Sequence, residues 1–171
     1  MQSRALHRLV LSALMAALCT LLTLVIRIPS PMGGYLNLGD CAVLLSAWLL
    51  GPAAGAAAAG LGSALADLLG YPLYAPGTLV IKALMAAAAG WLFRALTRRK
   101  VPQTGAGLVS GVVAESIMAG GYFFFECWVL GMGPAAAVNL PANLVQGVLG
   151  VAAALLVSSL LHSSKAFPGQ A

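Results

Sequence analysis

Charge is what this sequence has least of: nine Lys or Arg and four Asp or Glu in 171 residues, or 8% of the chain. The basic residues hug the ends of apolar segments and form no patch with interleaved aromatics, which argues against nucleic-acid binding. Histidine is nearly absent too, and His7 and His162 both lie near the ends of the chain, so the apolar middle lacks the commonest general base. The three cysteines, Cys19, Cys41 and Cys127, have neither CxxC nor Cys/His spacing. They read as small packing residues, and neither a metal nor a cofactor is expected. No GxxxxGK[ST] loop occurs, so ATP hydrolysis by that route is excluded. No small-residue cleavage site closes the first apolar segment before Arg27-Ile28-Pro29, which is therefore expected to be a retained helix.

What remains is a chain that is 61% hydrophobic, with apolar segments recurring from Leu6 to Leu161. In lipid the backbone must satisfy its own hydrogen bonds, which leaves helices or a closed barrel. Barrel strands alternate apolar and polar residues; the stretch from Ala53 to Ala66 does not. The expectation is an all-α integral membrane bundle of six transmembrane helices forming a single unit over residues 1–171. Approximate spans are Leu6–Ile26, Asp40–Leu50, Pro52–Leu69, Thr78–Ala95, Gly105–Leu130 and Ala137–Leu161. The second, at about 16 Å, is too short to cross alone and pairs with the third around Gly51-Pro52. Five crossings are the alternative.

Arg4, Arg8, Arg94, Arg98, Arg99, Lys100 and Lys165 make seven of the nine basic residues fall on one side of such a bundle. Cytoplasmic loops retain positive charge. Both termini are thus expected in the cytoplasm, with the loops Pro29–Gly39, Gly70–Gly77 and Gly131–Pro134 outside, in the plasma membrane of a prokaryote.

The few polar residues inside apolar segments should mark the working site, because an ionisable group at mid-membrane costs about 2.5–3.5 kcal/mol to insert. The run Tyr35-Leu36-Asn37-Leu38-Gly39-Asp40 stands between the first two segments. Asp67 closes the third, and Lys82 lies one turn into the fourth as a counter-ion for Glu115. Glu115, Tyr122 and Glu126 share a face of the fifth helix, and Asn139, Asn143 and Gln146 follow at i, i+4 and i+7 on the sixth. With Tyr35, Tyr74, Tyr122 and Trp128 offering flat rings, this inventory of amides, carboxylates and aromatics suits a small, planar, polar heterocycle. Structural alternatives stand beside it. Asn and Gln can tie helices together, Trp48, Trp91 and Trp128 suit interfacial or packing roles, Glu115 with Lys82 suits a buried ion pair, and Asp40 and Asp67 suit helix ends. Ala13 and Ala17 form an AxxxA pair, and Gly51, Gly55 and Ala59 repeat the spacing, which permits close helix approach.

These pieces occur in a telling order: Ala13/Ala17, then Gly34-Tyr35-Leu36-Asn37-Leu38-Gly39-Asp40, Leu49-Leu50-Gly51-Pro52-Ala53-Ala54-Gly55 and Gly62-Ser63-Ala64-Leu65-Ala66-Asp67-Leu68-Leu69-Gly70. Tyr74-Ala75-Pro76, Ile81-Lys82, Gly121-Tyr122-Phe123 through Glu126, and Asn143-Leu144-Val145-Gln146 continue it. The chain resembles a substrate-binding S component of an energy-coupling factor (ECF) vitamin transporter, an ABC importer, from Ala13 to about Gly150. The resemblance implies six helices with a vitamin bound near the outer face, under the loops Pro29–Gly39 and Gly70–Gly77. It implies binding roles for Tyr35, Asn37, Asp40, Asp67, Tyr74, Lys82, Glu115, Tyr122, Glu126, Asn139, Asn143 and Gln146. It implies docking of Ala13 and Ala17 on a transmembrane coupling subunit driven by two cytoplasmic ATPases, and delivery by tipping of the whole S component in the membrane. The pocket inventory favours hydroxymethylpyrimidine or a B6 vitamer over riboflavin. The rival readings are a small intramembrane enzyme using Glu115, Asp67 or Lys82 as acid and base, and a stand-alone solute transporter. The first lacks a nucleophile and base pair, and the second lacks an evident inverted repeat.

Overall fold

A computed structural model describes residues 2–29 and 35–163 of the chain. Gly34 and Lys165 lie outside the described residues. Within them the fold is six helices: α1 (Gln2–Val25), α2 (Gly39–Leu50), α3 (Pro52–Gly70), α4 (Ala75–Arg98), α5 (Gln103–Phe124) and α6 (Leu140–Ser163). Two short strands, β1 (Ile28–Pro29) and β2 (Tyr35–Leu36), pair antiparallel between α1 and α2, with Ile28 opposite Leu36 and Pro29 opposite Tyr35. Each of the six helices overlaps one expected segment; α4 continues beyond its apolar part at both ends, whereas α5 stops at Phe124 and α6 starts at Leu140, inside the expected segments.

Five helical segments have the length and apolar character to cross a membrane: Ala5–Val25, Pro52–Gly70, Ala75–Arg98, Gln103–Val129 and Gly133–Leu161. The twelve-residue α2 does not, at about 18 Å. The expected six transmembrane helices are thus six helices of which five have spanning length. α2 compensates by being the hub. Eleven of its residues, all but Leu49, are buried, and it packs against α1, α3, α4 and α6. A helix that is apolar on every side belongs in such a position.

Small residues set the distances. A Cβ on Gly55 would fall 2.8 Å from Ala47 Cα and from the Ser46 carbonyl oxygen, so α2 and α3 touch at backbone level there. Gly51 joins the two helices with φ +83°, a conformation that favours glycine, and the Arg94 guanidinium donates to the Leu50 carbonyl at 3.2 Å beside it. Arg94 therefore closes the end of the short helix one turn before α4 itself ends. Because α2 starts no higher than its length allows, a space remains above its first turn, bounded by α1, α3, α4, the end of α5 and α6.

The fifth expected segment is not one regular helix. After Phe124 it widens into a π-helical turn, Phe125–Val129, and a 3₁₀ turn, Gly133–Asn139, leads into α6. Single π turns are frequent where a side chain must be re-aimed. Here the buried side chain of that turn is Glu126.

Candidate functional site

The floor of the space is a polar network at the start of α2. Asp40 sits in the first turn, where a carboxylate faces the positive end of the helix dipole, and it is fully buried. One of its oxygens holds the Lys82 ammonium in a buried salt bridge. The other accepts from Gln146 Nε2 at 2.6 Å. Gln146 Oε1 in turn accepts from the Asn37 backbone N–H at 2.8 Å, and Asn37 Oδ1 accepts from the Gly39 N–H at 2.7 Å, an Asx turn over the helix start. Four elements, the β2–α2 link, α2, α4 and α6, are locked by this chain of contacts.

Above it lies a cavity of about 30 Å³, lined by Thr23 from α1, Ser63 and Asp67 from α3, Tyr74, Thr78 and Lys82 at the head of α4, Tyr122 and Glu126 at the tail of α5, and Asn139, Asn143 and Gln146, with Tyr35 and Asn37 above. The Thr78 and Tyr122 hydroxyls are 2.9 Å apart, and Lys82 Nζ stands 5.4 Å from the centre of the Tyr122 ring. Tyr74 donates its hydroxyl to Glu126 Oε1 at 3.3 Å, and the Asn139 amide also reaches that carboxylate.

The roof is aromatic. Tyr35 of β2 donates its hydroxyl to Asp67, and its ring lies 4.8 Å from that of Tyr71. The Arg27 guanidinium lies 4.8 Å over the Tyr35 ring and 5.9 Å from that of Tyr71, and donates to the Ala66 carbonyl at 3.0 Å. Burial, reinforced by Asp67, holds the Tyr35 phenol well above its ordinary pKa, so it stays a neutral donor.

Ten of the twelve residues expected to bind a ligand line this cavity, and Asp40 supports it from below. Glu115 does not reach it. Seven residues before Tyr122, about 10 Å lower on α5, its side chain borders a lateral groove of about 400 Å³ between α5 and α6, with Asn143 at the boundary of groove and cavity. The counter-ion of Lys82 is accordingly Asp40 and not Glu115. Asp40 is no interfacial cap, being buried by the bundle. Trp48 is a packing residue that donates to Ser110 at 3.0 Å, while Trp91 and Trp128 are 68% and 73% exposed.

A family model described as the ECF-type riboflavin transporter, S component, matches residues 3–163. The chain belongs to that family. As an S component it has a curated relative in Pyrococcus woesei, an uncharacterized protein in a gap 3' region. That relative is 39% identical over 133 residues, which are 77% of this chain and 86% of the relative. A solved structure, reported as the structure and mechanism of the S component of a bacterial ECF transporter, superposes with a TM-score of 0.67. It covers 96% of this chain and 99% of its own at 21% identity, which establishes the shared fold.

Family and fold are those of transporter subunits rather than enzymes. Sequence reasoning missed Thr23, Ser63 and Thr78 in the cavity wall of this S component. Isolated hydroxyls in an Ala- and Leu-rich helix resemble ordinary back-bonding residues such as Thr20, which donates to Ala16 and Gly62 carbonyls. What distinguishes Thr23 and Ser63 is that their buried hydroxyls have no protein partner.

Proposed function

We propose that this S component is the membrane-embedded capture subunit of an ECF-type importer, and that it binds a small vitamin or vitamin precursor in the cavity above α2. Hydroxymethylpyrimidine or a B6 vitamer is favoured over riboflavin, although the family takes its description from riboflavin. The observation that carries this reading is the convergence of buried polar side chains from α1, α3, α4, α5 and α6 on one cavity, in a chain with so few of them to spend. Helix-joining amides and hydroxyls would pair off among themselves. Three of these do not complete their hydrogen bonds.

At about 30 Å³ the cavity is roughly a tenth of the volume of a small-molecule pocket, so binding requires the roof to lift. The β1–β2 ribbon is built for that. Among the described residues it is two residue pairs long, and it is held to the bundle by the Tyr35–Asp67 hydrogen bond, the Arg27–Tyr35–Tyr71 stack and the packing of β2 on α6. The basic residues Arg94, Arg98, Arg99 and Lys100 lie at the far end of α4 from the cavity, which supports an outward-facing mouth and cytoplasmic termini. Ala13 and Ala17 lie on the exposed face of α1, which supports their docking on a coupling subunit driven by two cytoplasmic ATPases.

The test is a thermal-shift screen of the purified chain against B vitamins and their precursors, with co-purification of partner subunits from membranes. A vitamin-sized ligand should raise the unfolding temperature, since a ligand stabilises the state it prefers. Turnover of a substrate by the isolated chain, with no coupling or ATPase subunit retained, would overturn the assignment.

A further inference from the structure

Glu115 is buried and ionisable, and the capture cavity leaves it unused. Its side chain is 8% exposed, and neither carboxyl oxygen has a hydrogen-bond partner among the described residues. It stands near the middle of the span Gln103–Val129, a depth at which acyl chains offer no donor. Two glycines of α6 make room for it. A Cβ on Gly147 would lie 3.0 Å from Glu115 Cβ, and one on Gly150 would lie 3.1 Å from Glu115 Oε1. Across Gly150 is Asp40, whose oxygens are taken by Lys82 and Gln146. Asp40 and Lys82 act on Glu115 through their charges, while the ammonium itself is bonded to Asp40.

On its outer side the carboxyl borders the lateral groove between α5 and α6. At about 400 Å³ the groove has the volume of a small-molecule pocket, far more than the capture cavity. It follows α6 from Asn143 to Leu155, about 18 Å. Leu108, Val112, Val148, Val151 and Leu155 make most of its wall apolar, and Glu115, Ser116 and Asn143 gather at one end. The Ser116 hydroxyl is spent on the Val112 carbonyl at 2.8 Å, which leaves the carboxyl without a donor. A guest that completes this site has a long apolar body and one polar group at its end.

The carboxyl also selects the polar group. A hydroxyl donates to an ionised carboxylate, and it both donates to and accepts from a neutral carboxyl, so it suits Glu115 in either state. An ether oxygen only accepts. A charged head of either sign would carry an ion to mid-membrane, and no Lys, Arg or His lines the groove to meet an anion. Independently of the capture reading, we propose that the α5–α6 groove binds a neutral, long-chain membrane alcohol. Its hydroxyl pairs with Glu115, and its chain lies along Val112, Val148 and Leu155.

The experiment uses the full chain in nanodiscs of zwitterionic phospholipid and three photoactivatable probes built on one saturated chain: the primary alcohol, its methyl ether and its carboxylic acid. The alcohol should label α5 and α6 at least about fivefold more than either of the others, the margin of one buried hydrogen bond. Glu115→Gln, whose amide also donates and accepts, should keep that preference, and Glu115→Leu should abolish it. Val148→Trp, at a position 70% exposed, should fill the groove and prevent labelling. Equal labelling by the three probes, or a preference for the alcohol that survives Glu115→Leu, overturns the proposal and leaves the groove to ordinary lipid chains. Cross-linking of α5 and α6 to a second polypeptide in place of the alcohol overturns it as well and makes the groove a protein contact. Each of these results leaves vitamin capture standing, and a failure of vitamin binding leaves the labelling result unaffected.

Discussion

At the scale of single residues the decisive pair is Lys82 and Asp40, both nearly inaccessible. Removing one partner of a buried ion pair strands the other charge, at a cost of about 3–5 kcal/mol, whereas removing both is far milder. Lys82→Met should therefore lower the unfolding temperature in detergent sharply, and adding Asp40→Asn should recover most of the loss while keeping an acceptor for Gln146. A double variant no better than the single one would show that the pair is not what Lys82 contributes. Tyr35 makes a different contribution, at the roof. Tyr35→Phe deletes the hydrogen bond to Asp67 and keeps the ring on Tyr71, so ligand dissociation should quicken by a few fold to about tenfold, while fold stability falls by no more than about 1–3 kcal/mol, the cost of a buried carboxyl losing a donor. Much of this site was legible in the sequence, since a carboxylate, amide or ammonium inside an apolar run is conspicuous by its cost. Partner choice was not legible. Periodicity puts Glu115 and Tyr122 on one face of α5, yet says nothing of the depth at which a cavity ends, and depth is what gives Lys82 to Asp40.

At the scale of elements the informative feature is a short helix. The length of α2 was readable from hydropathy, and its consequence needed the structure: ending level with Arg94, it leaves the upper part of the bundle unfilled. The π turn was not readable. Gly121 through Leu130 carries no Pro and no polar interruption but Glu126, and a π turn differs from a regular one only in the register of its backbone hydrogen bonds. Glycine placement, by contrast, follows directly from contact. Gly55→Leu should push α2 from α3 and cost at least about 1–3 kcal/mol, as overpacking does, while Ala57→Leu on the exposed side of the same helix should be nearly neutral. Thermal unfolding of the two variants side by side separates helix contact from general intolerance of α3 to bulk.

For the whole molecule, the arrangement keeps two tasks apart. Polar binding groups are gathered near the roof and basic residues at the opposite end, and the lateral surface between them is largely apolar. Leu6, Leu9, Val10, Leu14 and Leu21 stand out along the exposed face of α1, with Ala13 and Ala17 as a shallow strip among them. Under the capture reading this strip receives a coupling subunit, and close backbone approach is what small residues allow. Ala13 is ten residues before Thr23, about 15 Å along the helix, so bulk placed there cannot touch the cavity. Ala13→Trp should leave the ligand-induced rise in unfolding temperature intact, abolish co-purification with the coupling subunit, and stop uptake into liposomes holding the complete complex. The same change at Leu14, already a large side chain on that face, should do much less. Uptake at the normal rate by the Ala13→Trp complex would remove α1 from the docking interface, and a loss of ligand binding with it would mean that the two tasks are not separate.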